Sequence, residues 1–561
     1  MKKPVIILAA LCLVAGLTVG LCAALGVFKS GNPGHKPGTD STDGTKDTNE
    51  DVTTGGSSNM TYTKTTYADG FSNPGAGYRW HNMDHSFAPR YQNSISDFLA
   101  YLREIDGLGI GGVVTNIKWS DNYLKNPDDF KQLSEAVNLL LKKNNGTFWL
   151  YDEYGYPSGK ANGLTTAEHK EYMAKGLAFD AYEGTGKKSM TVGLPDNDEI
   201  LKIHSAYAVD ESGKVISAEY TDNSATFAGT DGKWTFYVFY EKILFKGTHA
   251  YNNGNTPAYY PNLMDEKAVD EFISNTYKQY AELFTYFNQT VGVFTDEPSL
   301  MEVYQNTSET FKYSQLVTVD GFEDKFEEMH GYSIADKYHL IFTGDSDEAK
   351  IVRVNYRETV AELLSKNYFG KLREFCEANG TKSSGHCLLE ESMAYHAYYY
   401  GNLMQCLREM SIPGCDGLSM KTDSFMNEGW PIFMACKYAS SVANLKGNRM
   451  TMMEICAVDL PQDKEYNEEQ YRNFKTSLSD ILFCGVTDIH SYVGTGLFQS
   501  NAKELIDYLA RVSYMSKSAV WNGEVGLYYP IATMQAYTIV TSFPVKKLLS
   551  KASSTLYTVY P

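Results

Sequence analysis

The sequence predicts an α/β fold: a (β/α)₈ barrel of the TIM type, with a β-rich insertion after the third strand and the start of a further C-terminal domain. Three observations predict it. The chain has 561 residues, and such a barrel takes about 250 residues and can exceed 400 with insertions. Hydrophobic residues make up 43% and charged residues 21%, so the chain can bury a large core. Eight short apolar runs alternate with amphipathic helical stretches, which is typical of a closed parallel sheet covered by helices.

The N-terminal residues are predicted to direct export rather than to fold with the barrel. Lys2 and Lys3 precede an uncharged run over residues 4–28. This run exceeds the roughly 7–15 apolar residues of a signal peptide and is long enough to span a bilayer, which takes about 20 residues. Residues 1–28 are therefore expected to be a signal peptide or a signal anchor, and the polar residues 29–60 a flexible linker. Either alternative predicts an extracellular or cell-surface protein that meets the membrane only through this segment.

One helix and the strand after it illustrate the pattern of the body. Asn126 is predicted to cap a helix that ends at Gly146, and the apolar run over 147–151 predicts a buried strand that stops at Asp152 and Glu153. Similar units are predicted for a helix over 265–284 with a strand at 291–294, and for a helix over 467–483 with a strand at 487–490.

The positions where the eight predicted strands end matter most for function. They fall near Arg79-Trp80, Lys118-Trp119, Asp152-Glu153, Asp296-Glu297, residues 386–391, Asp416, Glu454 and His490.

Two segments interrupt the eightfold pattern, and a third follows it. The barrel is expected over residues 61–522, and strict alternation of apolar and polar residues predicts a β-rich insertion over 185–256. Residues 302–380 predict a mostly helical connection after the fourth strand. The apolar run over 524–530 predicts a strand that begins an additional domain over 523–561.

Charge and composition narrow the classes of function. Lys and Arg number 50 against 68 Asp and Glu, a formal net charge of −18. This balance argues against broad nucleic-acid binding, which needs a basic surface to neutralise phosphates. The 42 tyrosines suit a site that stacks on hydroxylated ligands, although ordinary aromatic packing explains the count equally well.

The predicted strand ends carry many acids and histidines. Barrel enzymes build their active sites at the carboxyl ends of the strands. A cluster of acids is costly unless a cation, a proton or substrate hydroxyls offset the repulsion. Single members have simpler explanations, since Asp416 can be a helix cap and His386 and His490 can be core residues. The cluster comprises Asp152, Glu153, Asp296, Glu297, His386, Glu390, Glu391, Asp416, Glu454 and His490.

Paired carboxyl groups at the end of a barrel predict glycoside hydrolysis. One protonates the leaving oxygen, and the other activates water or attacks the anomeric carbon. Glu297 after the fourth strand and Glu454 after the seventh lie on opposite sides of an eight-stranded ring. An inverting enzyme separates the two groups by about 6.5–9.5 Å and a retaining enzyme by about 5–5.5 Å. A retaining glycosidase of other sugar specificity and a non-catalytic cell-surface glycan-binding protein remain as alternatives.

Four blocks of sequence resemble the α-L-rhamnosidases of glycoside hydrolase family 106. They are WLYDEYGYPSGKANG (149–163), VGVFTDEPSL (291–300), SGHCLLEES (384–392) and the stretch from Lys437 through MMEICAV (452–458), with the helix PNLMDEKAVDEFI (261–273) between them in the same order. The resemblance covers roughly residues 70–530. It implies an inverting hydrolase of α-L-rhamnosides in complex glycans, a calcium ion at the sugar site, and β-sandwich domains beyond the barrel.

The resemblance also implies roles for individual residues. Glu297 is expected to be the general acid, and Glu454, ahead of Glu391, the base. Asp296 is expected to contact a hydroxyl group or a metal. The further candidate substrate contacts, of which the first two could equally bind calcium through oxygen, are Asp152, Glu153, His386, His490, Trp80 and Trp119. The sequence does not single out a set of metal ligands.

Overall fold

The structure, a computed structural model, describes residues 67–300, 315–420, 432–461, 463–519, 522–523 and 525–537. The predicted export segment (1–28), the predicted linker (29–60) and residues 538–561 of the predicted additional domain lie outside these residues. Among the described residues, none of the helices combines the length and the apolar content needed to cross a lipid bilayer.

Eight parallel strands form a closed barrel, which confirms the predicted fold class. Each strand is hydrogen-bonded to the strands before and after it in this series, and the first and last strands close the ring. The strands are β1 (His81–Met83), β2 (Gly112–Thr115), β3 (Thr147–Tyr151), β4 (Val293–Asp296), β5 (Ser383–His386), β6 (Ile412–Gly417), β7 (Met452–Ile455) and β8 (Asp488–Ser491).

The first strand lies later in the chain than predicted. It was expected to end near Arg79-Trp80, whereas β1 begins at His81. Its three residues include His and Asn, so it lacks the apolar run that marks a buried strand. Trp80 is completely buried, and its ring packs against Phe474 and Phe498 in the helical layer. The prediction that Trp80 contacts substrate is therefore wrong, because no surface of its side chain is accessible.

Side chains that alternate along the strands fill the interior of the barrel. In β3, Trp149 and Tyr151 point inward, and the next residue along, Asp152, points toward the surrounding helices. The inward-pointing apolar residues form one buried cluster: Met83, Val114, Trp149, Tyr151, Phe294, Ile412 and Met452.

Local sequence signals set the ends of the surrounding helices. Asn126 caps the helix Pro127–Asn144 by accepting a hydrogen bond from the backbone N–H of Asp128. This helix ends at Asn145, in the left-handed conformation, one residue before the predicted Gly146. Asn467 and Gln470 form a capping box at the start of the helix Glu468–Phe483.

The single helix predicted over 265–284 is two helices, Glu266–Asn275 and Tyr277–Leu283. They meet at Thr276, whose hydroxyl donates to the carbonyl oxygen of Phe272. The backbone of Thr276 departs from helical angles, with φ of −128° and ψ of −82°, and this departure separates the two helices.

The β-rich insertion lies between β3 and β4 and begins at Lys175, ten residues before the predicted start. Its larger sheet has five antiparallel strands, one of which, Gln315–Thr318, comes from the connection after β4. The other four are Lys175–Thr185, Ile200–Asp210, Val215–Ser217 and Lys233–Ile243, and a smaller sheet contains Met190–Gly193, Glu219–Tyr220 and Ser224–Phe227.

The connection after β4 is mostly helical, as the sequence predicts. Its described helices include Phe322–His330, Tyr338–Phe342, Asp347–Leu364 and Lys371–Ala378.

The strand predicted over 524–530 is wrong, because residues 525–530 have no regular secondary structure. Val525 is 82% exposed, so its apolar side chain packs against little of the described structure. The helix Ile531–Tyr537 follows and packs on Asp347–Leu364. Arg353 donates to the carbonyl oxygen of Ala536, which fixes this helix to the barrel's helical layer.

Candidate active site

The register of the barrel strands brings acids from neighbouring strands to one level. Asp296 at the end of β4 is the partner of His386 at the end of β5, and Asp416 in β6 is the partner of Glu454 in β7. Glu297 directly follows β4. All five residues are more than nine-tenths buried. Acids that are far apart in the sequence therefore lie side by side at the carboxyl end of the barrel, hereafter the mouth.

His386 lies between two of these acids. Its Nε2 is 3.1 Å from Oδ1 of Asp296 and 3.1 Å from Oε2 of Glu454. Its Nδ1 is 4.0 Å from Oε1 of Glu390. One imidazole ring thus faces three carboxyl groups from β4, β7 and the loop after β5.

The protonation of His386 follows from these neighbours. Burial alone lowers the pKa of the ring, but the hydrogen bonds and negative charges of Asp296 and Glu454 outweigh burial and raise the pKa of His386 well above its ordinary value. The ring is therefore an imidazolium at neutral pH. Its positive charge offsets part of the repulsion among the acids.

Burial raises the pKa values of the surrounding carboxyl groups. The pKa values of Glu390 and Asp416 lie well above the usual range, and that of Glu391 is raised to about 7. Burial and the charge of Asp296 also raise the pKa of Glu454, while His386 acts in the opposite direction. Carboxyl groups that keep a proton near neutral pH can act as general acids.

Glu297 has a backbone conformation that is rare for its residue type. Its φ angle is 47°, in the left-handed region. Its side chain is 7% exposed, and one carboxylate oxygen lies within 4.8 Å of a ring nitrogen of His386 and an oxygen of Asp416. Backbone strain of this kind persists only where the surrounding structure imposes it, and it concentrates at active sites.

The two acids after β5 have different surroundings. Glu390 accepts a hydrogen bond from the backbone N–H of Asp416 at 2.6 Å, so it ties the loop to β6. Glu391 is 6% exposed, and the charge of His386 lowers its pKa against the larger effect of burial. Both acids therefore lie within the electrostatic reach of the cluster. Oδ1 of Asp416 is buried without a hydrogen-bond partner among the described residues.

Asp152 does not point toward the mouth, which corrects its predicted role as a substrate or calcium contact. Its carboxylate accepts hydrogen bonds from the hydroxyls of Ser158 at 2.7 Å and Tyr277 at 3.0 Å. Tyr277 belongs to a surrounding helix, so Asp152 faces outward from the barrel. Its role is to hold the loop after β3 against that helix.

The predicted role of Glu153 as a substrate or calcium contact is corrected for a similar reason. Its two carboxylate oxygens accept hydrogen bonds from the backbone N–H groups of Lys160 and Asn162, at 3.2 and 3.3 Å. The Lys160 ammonium in turn donates to the carbonyl oxygen of Ala250 in the insertion. Glu153 is 2% exposed and shapes the loop rather than presenting its carboxylate to a ligand.

His490 is a residue of the barrel interior. It is completely buried, with its ring centre 4.3 Å from that of Trp149 and 6.0 Å from that of Phe294. Burial lowers its pKa well below the ordinary value, so the ring is neutral. The structure thus places His490 in the barrel interior, beside Glu454 in the register of the strands, and its contact with substrate stays a prediction.

Trp119 remains a candidate contact. β2 ends at Thr115, earlier than the predicted Lys118-Trp119, so Trp119 stands in the loop beyond the carboxyl end of the strand. Its side chain is partly buried, and its indole N–H has no hydrogen-bond partner among the described residues.

The sequence prediction missed two residues of the site. Tyr151 donates from its hydroxyl to Oδ2 of Asp296 at 2.5 Å, and strand alternation from Trp149 could have placed it inside the barrel. Cys456 lies with its sulfur 3.3 Å from Oε1 of Glu454. No sequence signal distinguishes Cys456 from a packing residue, because only the fold of the loop after β7 turns it toward the acids.

The described residues fit calcium poorly. Three sets of side chains come close enough to share an ion, and each includes a histidine or a cysteine: Asp296, His386 and Glu454; Glu297, His386 and Asp416; and Asp416, Glu454 and Cys456. Calcium prefers six to eight oxygen ligands, whereas nitrogen and sulfur donors suit other metals. A protonated His386 already supplies positive charge at this position.

Comparisons with known proteins match either a short part of this chain or its fold alone. No protein-family model matches the chain. A protein from Formosa agariphila named "Putative beta-glucuronidase" is 28% identical over 141 residues, which are 24% of this chain and 10% of that protein. The chain thus spans about a tenth of the length of this curated relative.

Two solved structures are similar in outline. A rhamnosidase from Novosphingobium sp. PP1Y has a TM-score of 0.49 and 11% identity, with 81% of this chain and 61% of that chain covered. A catalytic mutant of a GH42 β-galactosidase from G. stearothermophilus has a TM-score of 0.44 and 7% identity, with 85% and 63% covered. At identities this low, function must be inferred from the site itself.

Proposed function

We propose that the protein is an exported glycoside hydrolase that cleaves a glycosidic bond at the barrel mouth. The observation that carries this proposal is the convergence of Asp296, Glu297, Asp416 and Glu454 around His386. Glycoside hydrolysis needs one protonated and one ionised carboxyl group on either side of the bond. Burial keeps some acids of this cluster protonated, while the imidazolium favours the ionised form of its neighbours, so both forms are available. Export is proposed from residues 1–28.

In the proposed mechanism, Glu297 is the general acid and gives its proton to the leaving oxygen. Glu454 is the second carboxyl group, which takes a proton from the attacking water in an inverting reaction. The hydrogen bond from His386 supports this role, because it orients the Glu454 carboxylate and favours its ionised form. Asp296 shares the same imidazole and helps to hold it in place. Glu391 is the alternative to Glu454 as base.

We propose a neutral sugar as the substrate, and an α-L-rhamnoside first. The sequence blocks that resemble the family 106 rhamnosidases support rhamnose. The charge of the site favours a neutral sugar of any kind. A uronic acid would bring a further carboxylate to a site that four acids already line. The name of the curated relative refers to a glucuronide, so a β-glucuronide belongs in the same assay.

A panel of aryl glycosides tests the proposal. We expect the wild-type protein to hydrolyse at least one neutral glycoside, and Glu297→Gln to lower that rate by about 100-fold or more, since proton transfer contributes this much. Glu327→Gln, a change on an exposed helix surface, is the matched control and should behave as the wild type.

Three results would change the account. Unaltered hydrolysis by Glu297→Gln would remove Glu297 as the acid. Binding of glycans without any hydrolysis would favour a glycan-binding protein instead. Proton NMR of the anomer formed first should show inversion, and retention would assign Glu454 as the nucleophile.

A further inference from the structure

The acids occupy one half of the barrel mouth. They follow or end the adjacent strands β4 to β7, and the ring order places β8, β1, β2 and β3 on the other side. The residues that follow these four strands include four neutral or aromatic ones: His85 after β1, Asn116 after β2, Tyr156 after β3 and Tyr492 after β8. The hydrolytic roles proposed above use none of them.

A chain of hydrogen bonds fixes three of these side chains. Asn116 donates through Nδ2 to the carbonyl oxygen of Glu153, so its Oδ1 faces Nδ1 of His85 at 2.9 Å as an acceptor. Nδ1 of His85 therefore carries the proton. Burial and the charge of Lys118 lower the pKa of His85 to about 4, so the ring is neutral at pH 7 and its Nε2 is an acceptor. The Tyr492 hydroxyl lies 2.7 Å from that nitrogen and must donate to it.

This chain leaves the Tyr492 oxygen available to accept a hydrogen bond. The phenol proton is committed to His85, so a ligand hydroxyl can donate to the lone pairs of the phenol oxygen. Tyr492 as a whole residue is 42% exposed, although it follows a barrel strand at the mouth. An exposed ring with a fixed hydrogen-bond acceptor suits the apolar face and the hydroxyl groups of a sugar.

Tyr156 stands on the same half of the mouth. It is 38% exposed, and its ring centre lies 4.5 Å from that of His249, with 31° between the ring planes. His249 belongs to the insertion, so the insertion supports this ring from behind. After burial, the negative charges of Glu297 and Asp296 are the largest influences that raise the pKa of Tyr156, so its phenol lies within their electrostatic range.

We propose that Tyr492 and Tyr156 form the subsite for the leaving group, and that it binds a neutral pyranose ring. This inference rests on the proposed function. In this arrangement the sugar that is cleaved lies among the acids of β4 to β7, and the part of the substrate beyond the scissile bond lies toward β8 and β1 to β3. The preferred substrate is then an oligosaccharide with a further sugar ring, rather than a glycoside of a small alcohol.

Kinetic measurements on two substrates that differ only in the leaving group test the subsite. The substrates are a neutral disaccharide and the methyl glycoside of the same sugar, which lacks the second ring. We expect Tyr492→Ala to lower the preference in kcat/KM for the disaccharide by about tenfold, mainly through KM, and Tyr492→Phe to lower it less, because the ring remains. Tyr220→Ala, which removes an exposed tyrosine of the insertion's small sheet, should leave the preference unchanged. An unchanged preference in Tyr492→Ala would overturn the subsite while the proposed function stands.

A binding measurement separates the subsite from hydrolysis. Saturation-transfer NMR with the same disaccharides, α-L-rhamnosides among them, reports contact with the protein whether or not the disaccharide is hydrolysed. We expect the second ring to give transfer in the wild type and in Glu297→Gln, and to lose it in Tyr492→Ala. Equal transfer in Tyr492→Ala, or none in the wild type, would refute the subsite. In the wild type, transfer without any hydrolysis of the disaccharides would refute the proposed function and leave the subsite as a glycan-binding surface.

Discussion

His386 influences which acids of the site are ionised. A single Nε2–H faces carboxylate oxygens of both Asp296 and Glu454 at 3.1 Å. A buried cluster of like charges would otherwise push the pKa values of its members further upward. The imidazolium instead allows at least one neighbour to stay ionised, and it orients that neighbour through a charge-assisted hydrogen bond.

Asp152 is expected to make stability depend on pH. Burial raises its pKa from 3.8 to about 7, so the folded protein binds a proton that the unfolded chain releases. This contribution to the free energy of unfolding is complete below about pH 4 and is lost as the pH rises through about 7. Asp152→Asn removes the titrating group, so the fall in stability over this range should become shallower.

Urea unfolding at several pH values between about 4 and 7 measures this slope. Asp222→Asn changes an exposed aspartate and should leave the slope of the wild type unchanged. A slope in Asp152→Asn equal to that of the wild type would show that Asp152 titrates normally in the folded protein.

Residue-scale prediction from the sequence succeeded where position in a strand was enough. Glu297 and Glu454 were expected at strand ends, and the register brings both to the cluster around His386. The prediction for Asp152 failed because successive residues of β3 point to opposite sides of the barrel wall, and Asp152 falls on the outer side. The prediction for Trp80 failed because β1 begins one residue after Trp80.

At the scale of elements, the segment after the last barrel helix is bonded to the loop that carries two acids. The Tyr529 hydroxyl lies 2.8 Å from Nδ1 of His396, and Nε2 of His396 donates to the carbonyl oxygen of Glu390 at 2.7 Å. Burial lowers the pKa of His396 to about 4, so the ring is neutral and its Nδ1 accepts from the phenol. The segment thus holds the loop after β5 through one histidine.

Tyr529→Phe should loosen that loop. Removing one buried hydrogen bond is expected to lower the free energy of unfolding by about 1 kcal/mol and to speed hydrogen exchange over residues 388–396. Tyr528→Phe alters an exposed neighbour and is the matched control. The interpretation fails if Tyr529→Phe and Tyr528→Phe have the same stability and the same exchange rates.

The elements that the sequence predicted well have strong local signals. Asn126 and Asn467 both cap helices at the expected positions, since a cap depends on a few adjacent residues. The absence of a strand at 525–530 depends on contacts with distant residues. Arg353, for example, fixes the helix after that segment, and its contact with Ala536 spans 183 residues of sequence.

At the scale of the whole molecule, closure of the barrel divides the mouth in two. The ring order puts the strands that carry the acids around His386, β4 to β7, next to one another. The hydrogen-bonded residues Asn116, His85 and Tyr492 follow the strands β2, β1 and β8 on the other side. The count of strands predicted the closed ring. It could not predict the chain of hydrogen bonds from Asn116 to Tyr492, because that chain depends on side-chain directions in three separate loops.

The central claim is that acids from separate strands surround a charged His386. NMR of the protein with ¹⁵N-labelled histidine tests it most directly, with His386→Gln used to assign the signal. We expect both ring nitrogens of His386 to be protonated at about pH 8, where an ordinary histidine with a pKa of about 6.5 is neutral. Glu454→Gln should lower this pKa, since it removes one of the two carboxylates. A neutral ring at about pH 8 in the wild type would contradict the claim.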